Sequence, residues 1–390
     1  MTRPTVRLLP KTDARSVRWG RPWLHADEVV RDRRFRAIPP GMVATLEDAS
    51  RDPLATVAVT PDARIPVRIL DLEPTRDIDP AWLTERVRNA AALRATLYGD
   101  SFHRLIHAEA DGLPGLIVDR FGDHAVVQPN AAWIEPRLND LVAILGEMGV
   151  ATVVKSASGR ARAAEGLDDA DAVLAGDVNG PVPVRMNGAT YMADLTGGQK
   201  TGLFYDQRPN HAFVARLSRG ARVLDVFSHV GGFGLAAMAA GARHAVLVDG
   251  SEAALELARA GADATGIAVE IRRSDAFAAM EAMAGEAFDV VVADPPAFAP
   301  NKTALAQGLR AYERTARLAA ALVAAGGWLT LCSCSHAATL DKFRSACVRG
   351  IGRAGRSGVL VRTGFAGPDH PVHPQLGETG YLKALTFRLS

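Results

Sequence analysis

Short apolar runs at 6–9, 42–46, 54–59 and 65–70, separated by Pro, Gly and Asp, predict a small β-rich domain over residues 1–75. Residues 74–80 (Pro-Thr-Arg-Asp-Ile-Asp-Pro) follow as a candidate linker. Asp79 or Pro80 then opens a helix to about Leu97, because Leu83, Val87, Ala90 or Ala91, and Leu93 or Arg94 recur at helical spacing. Across 102–190 the pattern becomes α+β, with strands near 104–109, 115–119, 124–128 and 151–155 and a helix at 136–148. A hairpin spans 182–194, where Asn187-Gly188 supplies the positive φ values of a type I′ turn. This region is read as a small central α+β domain at 76–185.

From Arg208 helices and strands alternate. Strands are predicted at 222–227, 244–249, 268–272, 288–293 and 327–333, and late ones near 358–363 and 381–388. Helices fill 209–218, 232–240, 252–264, 275–283, 303–325 and 338–349. That alternation marks a doubly wound, Rossmann-like α/β sheet, whose ligands lie beyond the carboxyl ends of the strands. The third domain is therefore placed at 186–390.

Charge changes the picture only through its distribution. The whole chain carries +2, yet residues 1–36 hold ten basic side chains against Asp13, Asp27, Glu28 and Asp32. Such asymmetry favours a polyanion partner, although an Arg-rich solvated face reads the same way. Three cysteines, all within 332–347, form no disulfide framework. Residues 1–17 are polar and basic, and the longest apolar run, 318–332, contains Gly326-Gly327 and is too short for a bilayer. The expectation is a cytoplasmic protein without a membrane span.

The predicted strand at 222–227 runs into Phe227-Ser228-His229-Val230-Gly231-Gly232-Phe233-Gly234, a turn whose glycines let backbone approach a ligand. The spacing is not that of a dinucleotide fingerprint, and Asp225 would repel a pyrophosphate. S-adenosylmethionine carries an amino group and a sulfonium, which suit a carboxylate there. Asp249, at the next strand end, is placed on the ribose hydroxyls, since Ser251 makes the better cap for the following helix. Asp275 either reaches the adenine amino group, with the Ala276 N–H beside it, or caps its own helix. Phe227, Ser228 and Gly231 of the turn join Asp225, Asp249, Asp275, Ala276, Gln207 and Asp294 as cofactor-binding candidates.

Asp294-Pro295-Pro296-Ala297-Phe298 ends the apolar strand Val290-Val291-Val292-Ala293, and two prolines fix that loop and remove donors. Such a loop faces the ring to be methylated in many methyltransferases, including those that modify amino groups. Cys334, in Cys332-Ser333-Cys334-Ser335, ends the neighbouring strand, and a thiolate is a good nucleophile for C6 of a pyrimidine. Cys332 lies inside the strand and Cys347 in a helix, which suits both to the core. The Cys332, Cys334 and His336 spacing is too tight for zinc, so no metal is expected.

At these motifs the chain resembles the bacterial 23S rRNA cytosine-C5 methyltransferases that carry an N-terminal PUA domain. The likeness rests on Arg21-Pro22-Trp23-Leu24, on residues 106–123, and on Gly198-Gln199-Lys200-Thr201-Gly202 with Asp206-Gln207-Arg208. It continues in Asp369-His370-Pro371-Val372 and Gly380-Tyr381-Leu382-Lys383. The resemblance implies a PUA domain, a central α+β domain and a class I methyltransferase domain, commonly as a homodimer. It also implies that Cys334 is the nucleophile and Asp294 its partner at an unpaired or extruded cytosine. Pro295, Pro296, Phe298, Lys200 and Arg208 complete the substrate-binding candidates. The chain departs from the family pattern at His336, in the loop 155–160, and in the first domain beyond Trp23. A nitrogen methyltransferase acting on guanine or adenine in RNA would use the same Asp-Pro-Pro loop without a cysteine. A non-catalytic RNA-binding protein is the third reading.

Overall fold

The computed structural model describes residues 3–197 and 202–390 and divides into two compact units. One comprises Met1–Asn179, Leu195–Thr201 and Asp369–Gly377, the other Gly180–Asp194, Gly202–Pro368 and Glu378–Ser390. Among the described residues no helix is long and apolar enough to cross a membrane.

The first unit holds two five-stranded sheets. One has the order Thr5–Arg7, Met42–Glu47, Pro53–Val59, Val67–Asp71 and Trp23–Leu24 around a core that includes Val6, Val17, Phe35, Leu46 and Val57. Trp23–Leu24 is too short to show alternation, so pattern alone misses it. The stretch 74–80 is no free tether, since the Pro74 carbonyl accepts from Thr45 Oγ1 and the Arg76 carbonyl from Arg3. The second sheet has the order Ala172–Ala175, Thr152–Lys155, His124–Pro129, Leu116–Phe121 and Phe102–His107. Helix Pro80–Leu97, capped by the Asp79 carboxylate on Trp82 N, packs against that sheet.

On this helix Arg94, not Leu93, is the inward residue. Leu93 is 42% exposed, whereas Arg94 is fully buried with its guanidinium forked onto Asp111. It also donates to the carbonyls of Arg104 and Asp369. Helical spacing identifies a face, but a paired arginine one position along satisfies the same face.

The second unit opens with the hairpin Val182–Met186 and Ala189–Ala193. Its turn has φ 52° at Asn187 and 80° at Gly188, as Asn-Gly predicts. The unit's main sheet has seven strands, numbered here within the sheet: β1 Arg222–Val226, β2 His244–Asp249, β3 Glu270–Arg273, β4 Phe288–Ala293, β5 Val323–Ser333, β6 Gly358–Gly364 and β7 Lys383–Leu389. Their order is β3-β2-β1-β4-β5-β7-β6, with β7 antiparallel to both neighbours and the others parallel where they pair. The central strands are apolar on both faces because helices cover both, and Leu224, Val246 and Val291 lie in one core with Phe288 and Leu329. This architecture agrees with the α/β reading, and the carboxyl ends of β1, β2, β4 and β5 meet along one edge.

Several boundaries shift by a few residues, and one of these shifts changes an element's character. The helix expected over 303–325 is Leu305–Ala321, and β5 begins already at Val323. Gly326, at φ 71°, lies in a bulge, because the partners advance from Phe288↔Val323 to Val290↔Trp328. The Gly-Gly pair therefore bends a strand rather than ending a helix.

Helix Leu305–Ala321 bears directly on the Asp-Pro-Pro loop. A Cβ on Gly308 would lie 2.6 Å from the Phe298 carbonyl oxygen and 2.7 Å from Ala299 Cβ. Gly308→Ala should therefore destabilise the protein by about 1–3 kcal/mol despite alanine's better helix propensity. Denaturant unfolding checks this, and an unchanged midpoint would mean that loop and helix separate freely.

Candidate active site

Asp225, the penultimate residue of β1, is fully buried. Its Oδ2 accepts from Gly234 N at 2.8 Å, at the start of helix Gly232–Ala239, while its buried Oδ1 has no hydrogen-bond partner. Burial, reinforced by the negative charges of Asp294 and Asp249, pushes this carboxyl up to about 7. The turn above it is bent unusually, with φ 63° at Phe227, 50° at His229 and 84° at Gly231. Gly234 leaves no room for a side chain, since a Cβ would stand 2.1 Å from Leu247. Ser228 is buried, and its Oγ also lacks a partner.

Asp249 ends β2 half-buried. Its Oδ2 accepts from His229 N and its Oδ1 from Ser251 N, both at 2.8 Å, which fixes the carboxylate and leaves further lone pairs. Ser251, not Asp249, caps helix Glu252–Thr265. Asp275 is exposed and caps helix Ala276–Ala282 through Ala278 N, so the capping role is the one seen. Ala276 is buried beside it. Phe227, Phe277 and Phe298 form a half-buried triangle with centroids 6.2–6.3 Å apart, joining the loops after β1, β3 and β4.

The loop after β4 begins with Asp294, whose N–H donates to the Val226 carbonyl. Its Oδ2 accepts from Gln207 Nε2 at 2.9 Å. Asn210, fully buried, donates to Gln207 Oε1 at 2.7 Å and so turns the Gln207 amide toward Asp294. Gln207, expected at the cofactor, is thus hydrogen-bonded to Asp294, which is expected there as well. Pro295 is buried, Pro296 exposed and Phe298 half-buried. Arg208 opens helix Arg208–Leu217, where its carbonyl accepts from Asn187 of the hairpin. Lys200 lies outside the described residues.

The strand register sorts the cysteines. Ala293 pairs with Leu331, which sets Asp294 level with Cys332. Cys332 is 1% exposed, and burial pushes its thiol well above the ordinary range. Cys334 lies just past the strand end and is half-buried. Ser333 Oγ donates to Tyr312 OH at 2.8 Å, Ser335 Oγ shares a 2.7 Å hydrogen bond with the same hydroxyl, and Ser335 Oγ accepts from Ala299 N at 2.9 Å. The turn carrying Cys334 is thereby tied to the Asp-Pro-Pro loop. Tyr312, Phe277 and Asn210 were not singled out by motif. Only Asn210, one helical turn beyond Gln207, had a readable spacing.

Three carboxylates and two buried oxygens without a protein partner suit a cationic ligand with hydrogen-bond donors. S-adenosylmethionine supplies both through its amino group and sulfonium, and its hydroxyls and adenine suit Asp249 and the phenylalanine triangle.

Comparisons with known proteins agree. Residues 134–388 match the family described as S-adenosylmethionine-dependent methyltransferase, and residues 6–72 match a PUA-like domain. The ribosomal RNA large subunit methyltransferase I of Cronobacter sakazakii is 33% identical over 97% of this chain and 98% of its own length. That of Tolumonas auensis is 31% identical over 98% and 99%. A solved putative methyltransferase complexed with SAH superposes with a TM-score of 0.80 at 18% identity, covering 100% of both chains. A putative SAM-dependent methyltransferase from Streptococcus mutans gives 0.79 at 17%, covering 99% of this chain and 100% of its own, and these two likenesses concern the fold.

The raised Asp225 carboxyl fixes a pH dependence. Its folded value of about 7 exceeds the ordinary 3.8, so the folded state holds the extra proton between those values. Stability of the cofactor-free protein should fall as pH rises through that window, by up to about 4 kcal/mol. Asp225→Asn, which cannot ionise, should lose that slope in guanidinium unfolding at pH 5 and pH 8. An equal fall in the variant would remove Asp225 as the titrating group.

Proposed function

The chain belongs to the ribosomal RNA large subunit methyltransferase I family of S-adenosylmethionine-dependent enzymes, and from that membership we propose that it forms 5-methylcytosine in 23S ribosomal RNA through a covalent bond from Cys334 to C6. The observation that carries this reading is the pairing of a half-buried thiol, on a turn anchored by Ser333 and Ser335, with the Asp294 loop that the same hydrogen bonds hold. A nitrogen methyltransferase has no use for that thiol.

When bound, S-adenosylmethionine supplies an electrophilic methyl group. Cys334 Sγ adds to C6 of a cytosine taken out of its stack, which moves an electron pair toward C5 and the ring. Asp294, whose Oδ2 accepts from Gln207, would face the ring with its carboxyl group and share the proton at N3 or stabilise the charge that develops there. C5 would then take the methyl group with that electron pair as the methyl–sulfur bond breaks and its electrons stay on the cofactor's sulfur. Loss of the C5 proton then returns the electrons to the ring as the Sγ–C6 bond breaks. Pro295 and Pro296 keep the Asp294 loop rigid and free of competing donors. Asp225, Ser228 and Asp249 would hold the methionine and ribose parts of the cofactor.

The basic first domain supplies RNA affinity in this reading. Arg15, Arg18, Arg33, Arg34 and Arg36 are exposed, and Trp19 is 67% exposed with the Arg15 guanidinium 5.8 Å from its ring centroid. An exposed indole beside arginines can stack on an unpaired base. Phosphate contacts release counterions, so RNA binding should weaken steeply with salt. Replacing Arg18, Arg33, Arg34 and Arg36 by Ala should flatten the slope of log K against log salt by roughly 0.7 for each phosphate no longer neutralised. A slope equal to the wild type's would reduce these arginines to a solvated face.

The nucleophile itself has a direct test. With RNA carrying 5-fluorocytosine, fluorine replaces the proton that must leave, so Cys334 cannot be released. A denaturation-resistant adduct is expected for the wild type and Cys332→Ala, and none for Cys334→Ala. An adduct or full turnover in Cys334→Ala would defeat the assignment and favour methylation of a nitrogen.

A further inference from the structure

Lys383 is the first residue of β7, and its Cα pairs with that of Ser333, one residue before Cys334. The lysine is 5% exposed. Its Nζ donates to the carbonyls of Ser335 and Ala338, both at 2.8 Å, on the turn that leaves Cys334. Among the described residues no carboxylate lies within ion-pair distance of it. An ammonium taken out of water is expensive unless an anion or well-placed dipoles replace the solvent. Two carbonyls account for two of its three protons. No backbone demand accounts for a charge here, because the other buried residues of β7, Ala384, Leu385, Thr386, Phe387 and Leu389, are uncharged.

We propose that Lys383 is a positioning residue for Cys334, holding the turn that carries the thiol and supplying the positive charge that favours its thiolate. This rests on Cys334 acting as the nucleophile. The other ionisable groups around the thiol do not supply that charge. Cys332 of the same strand and Tyr312 of helix Leu305–Ala321 are both pushed up, chiefly by burial, and stay neutral near pH 7. Asp294 faces the same strand end with an acidic side chain, which supplies no positive charge, while His336 turns its ring toward Tyr381 at 5.4 Å. Burial lowers the Lys383 ammonium, and the charge of Cys334 works in the opposite direction, as it must for a mutual pair. A lysine arriving from β7, some fifty residues along the chain, would thus set the reactivity of a cysteine on β5.

The test follows alkylation of Cys334 by iodoacetamide against pH in the full-length protein, read by peptide mass spectrometry. Cys332 and Cys347, both buried, act as internal controls. The wild-type inflection should lie below the ordinary cysteine value of about 8.5. In Lys383→Met it should rise by a unit or more, which lowers the rate at pH 7 about tenfold, and Lys383→Arg should restore most of it. Lys383→Gln keeps a donor for the carbonyls without the charge, so the same upward shift there separates charge from folding. A wild-type inflection at or above about 8.5 overturns the proposal without any variant. So does an unmoved inflection in Lys383→Gln or Lys383→Met. The assay needs neither RNA nor methyl transfer. A missing 5-fluorocytosine adduct in the wild type would instead sink the nucleophile reading, while the thiol profile is judged separately.

Discussion

Asp225 sits under the turn after β1 with one carboxylate oxygen satisfied and the other orphaned, and two more carboxylates raise its pKa further. Such a group is costly to ionise on its own and becomes favourable as an anion beside a cation. The rest of the edge is arranged around that debt of charge. Positive φ at Phe227 and His229 bends the turn tightly, and His229 N is thereby aimed at Asp249. Backbone strain and unpaired oxygens are both tolerable because bound S-adenosylmethionine would relieve the electrostatic part. A cofactor with a delocalised or anionic head would not.

A second constraint links cofactor side to substrate side. Val226 accepts from Asp294 N, so the end of β1 and the loop after β4 share a hydrogen bond. Ala299, at the far end of that loop, donates to Ser335 beyond β5, and Tyr312 gathers Ser333 and Ser335 from the other side. Three strand ends are thus held in one hydrogen-bonded series. Groups that must act on one ring need positions fixed within a fraction of an ångström, which strand ends provide better than loops do. Gln207 and Asn210 extend the series by deciding which oxygen of Asp294 is already used.

The sequence makes the alternating sheet legible because strands buried on both faces are short, apolar and bounded by Gly or Asp, as in 222–227 and 288–293. The Asp-Pro-Pro loop and the Cys-Ser-Cys-Ser turn are legible for the same reason, since each ends such a strand. What escapes is whatever depends on pairing across long separations. Arg94 looks like an error in an apolar stripe until Asp111 and the Asp369 carbonyl stand beside it. Asp275 offered two roles, and local geometry uses it as a cap. Gly326-Gly327 reads as a helix stop, yet the partner strand makes it a bulge. Tyr312 gives no signal, and Lys383 stands in a motif of the resemblance without any sign of its place, because a tyrosine on a helix and a lysine in a strand are chemically ordinary until the fold brings them to the thiol.

The two cysteines show how little chemistry period-two alternation can assign. Both thiols share a face, and the register puts Asp294 level with Cys332, which on proximity alone would favour the wrong sulfur for the proposed reaction. Burial reverses that order. Cys332 is sealed in apolar surroundings that keep it protonated, so it has neither access nor thiolate character. Cys334 stands beyond the last ladder pair, half-buried, where the Lys383 ammonium lies against its turn. The difference in exposure between the two thiols is therefore set by the strand's end. From buried Cys332 to half-buried Cys334 is the distance over which the protein interior gives way to the cleft.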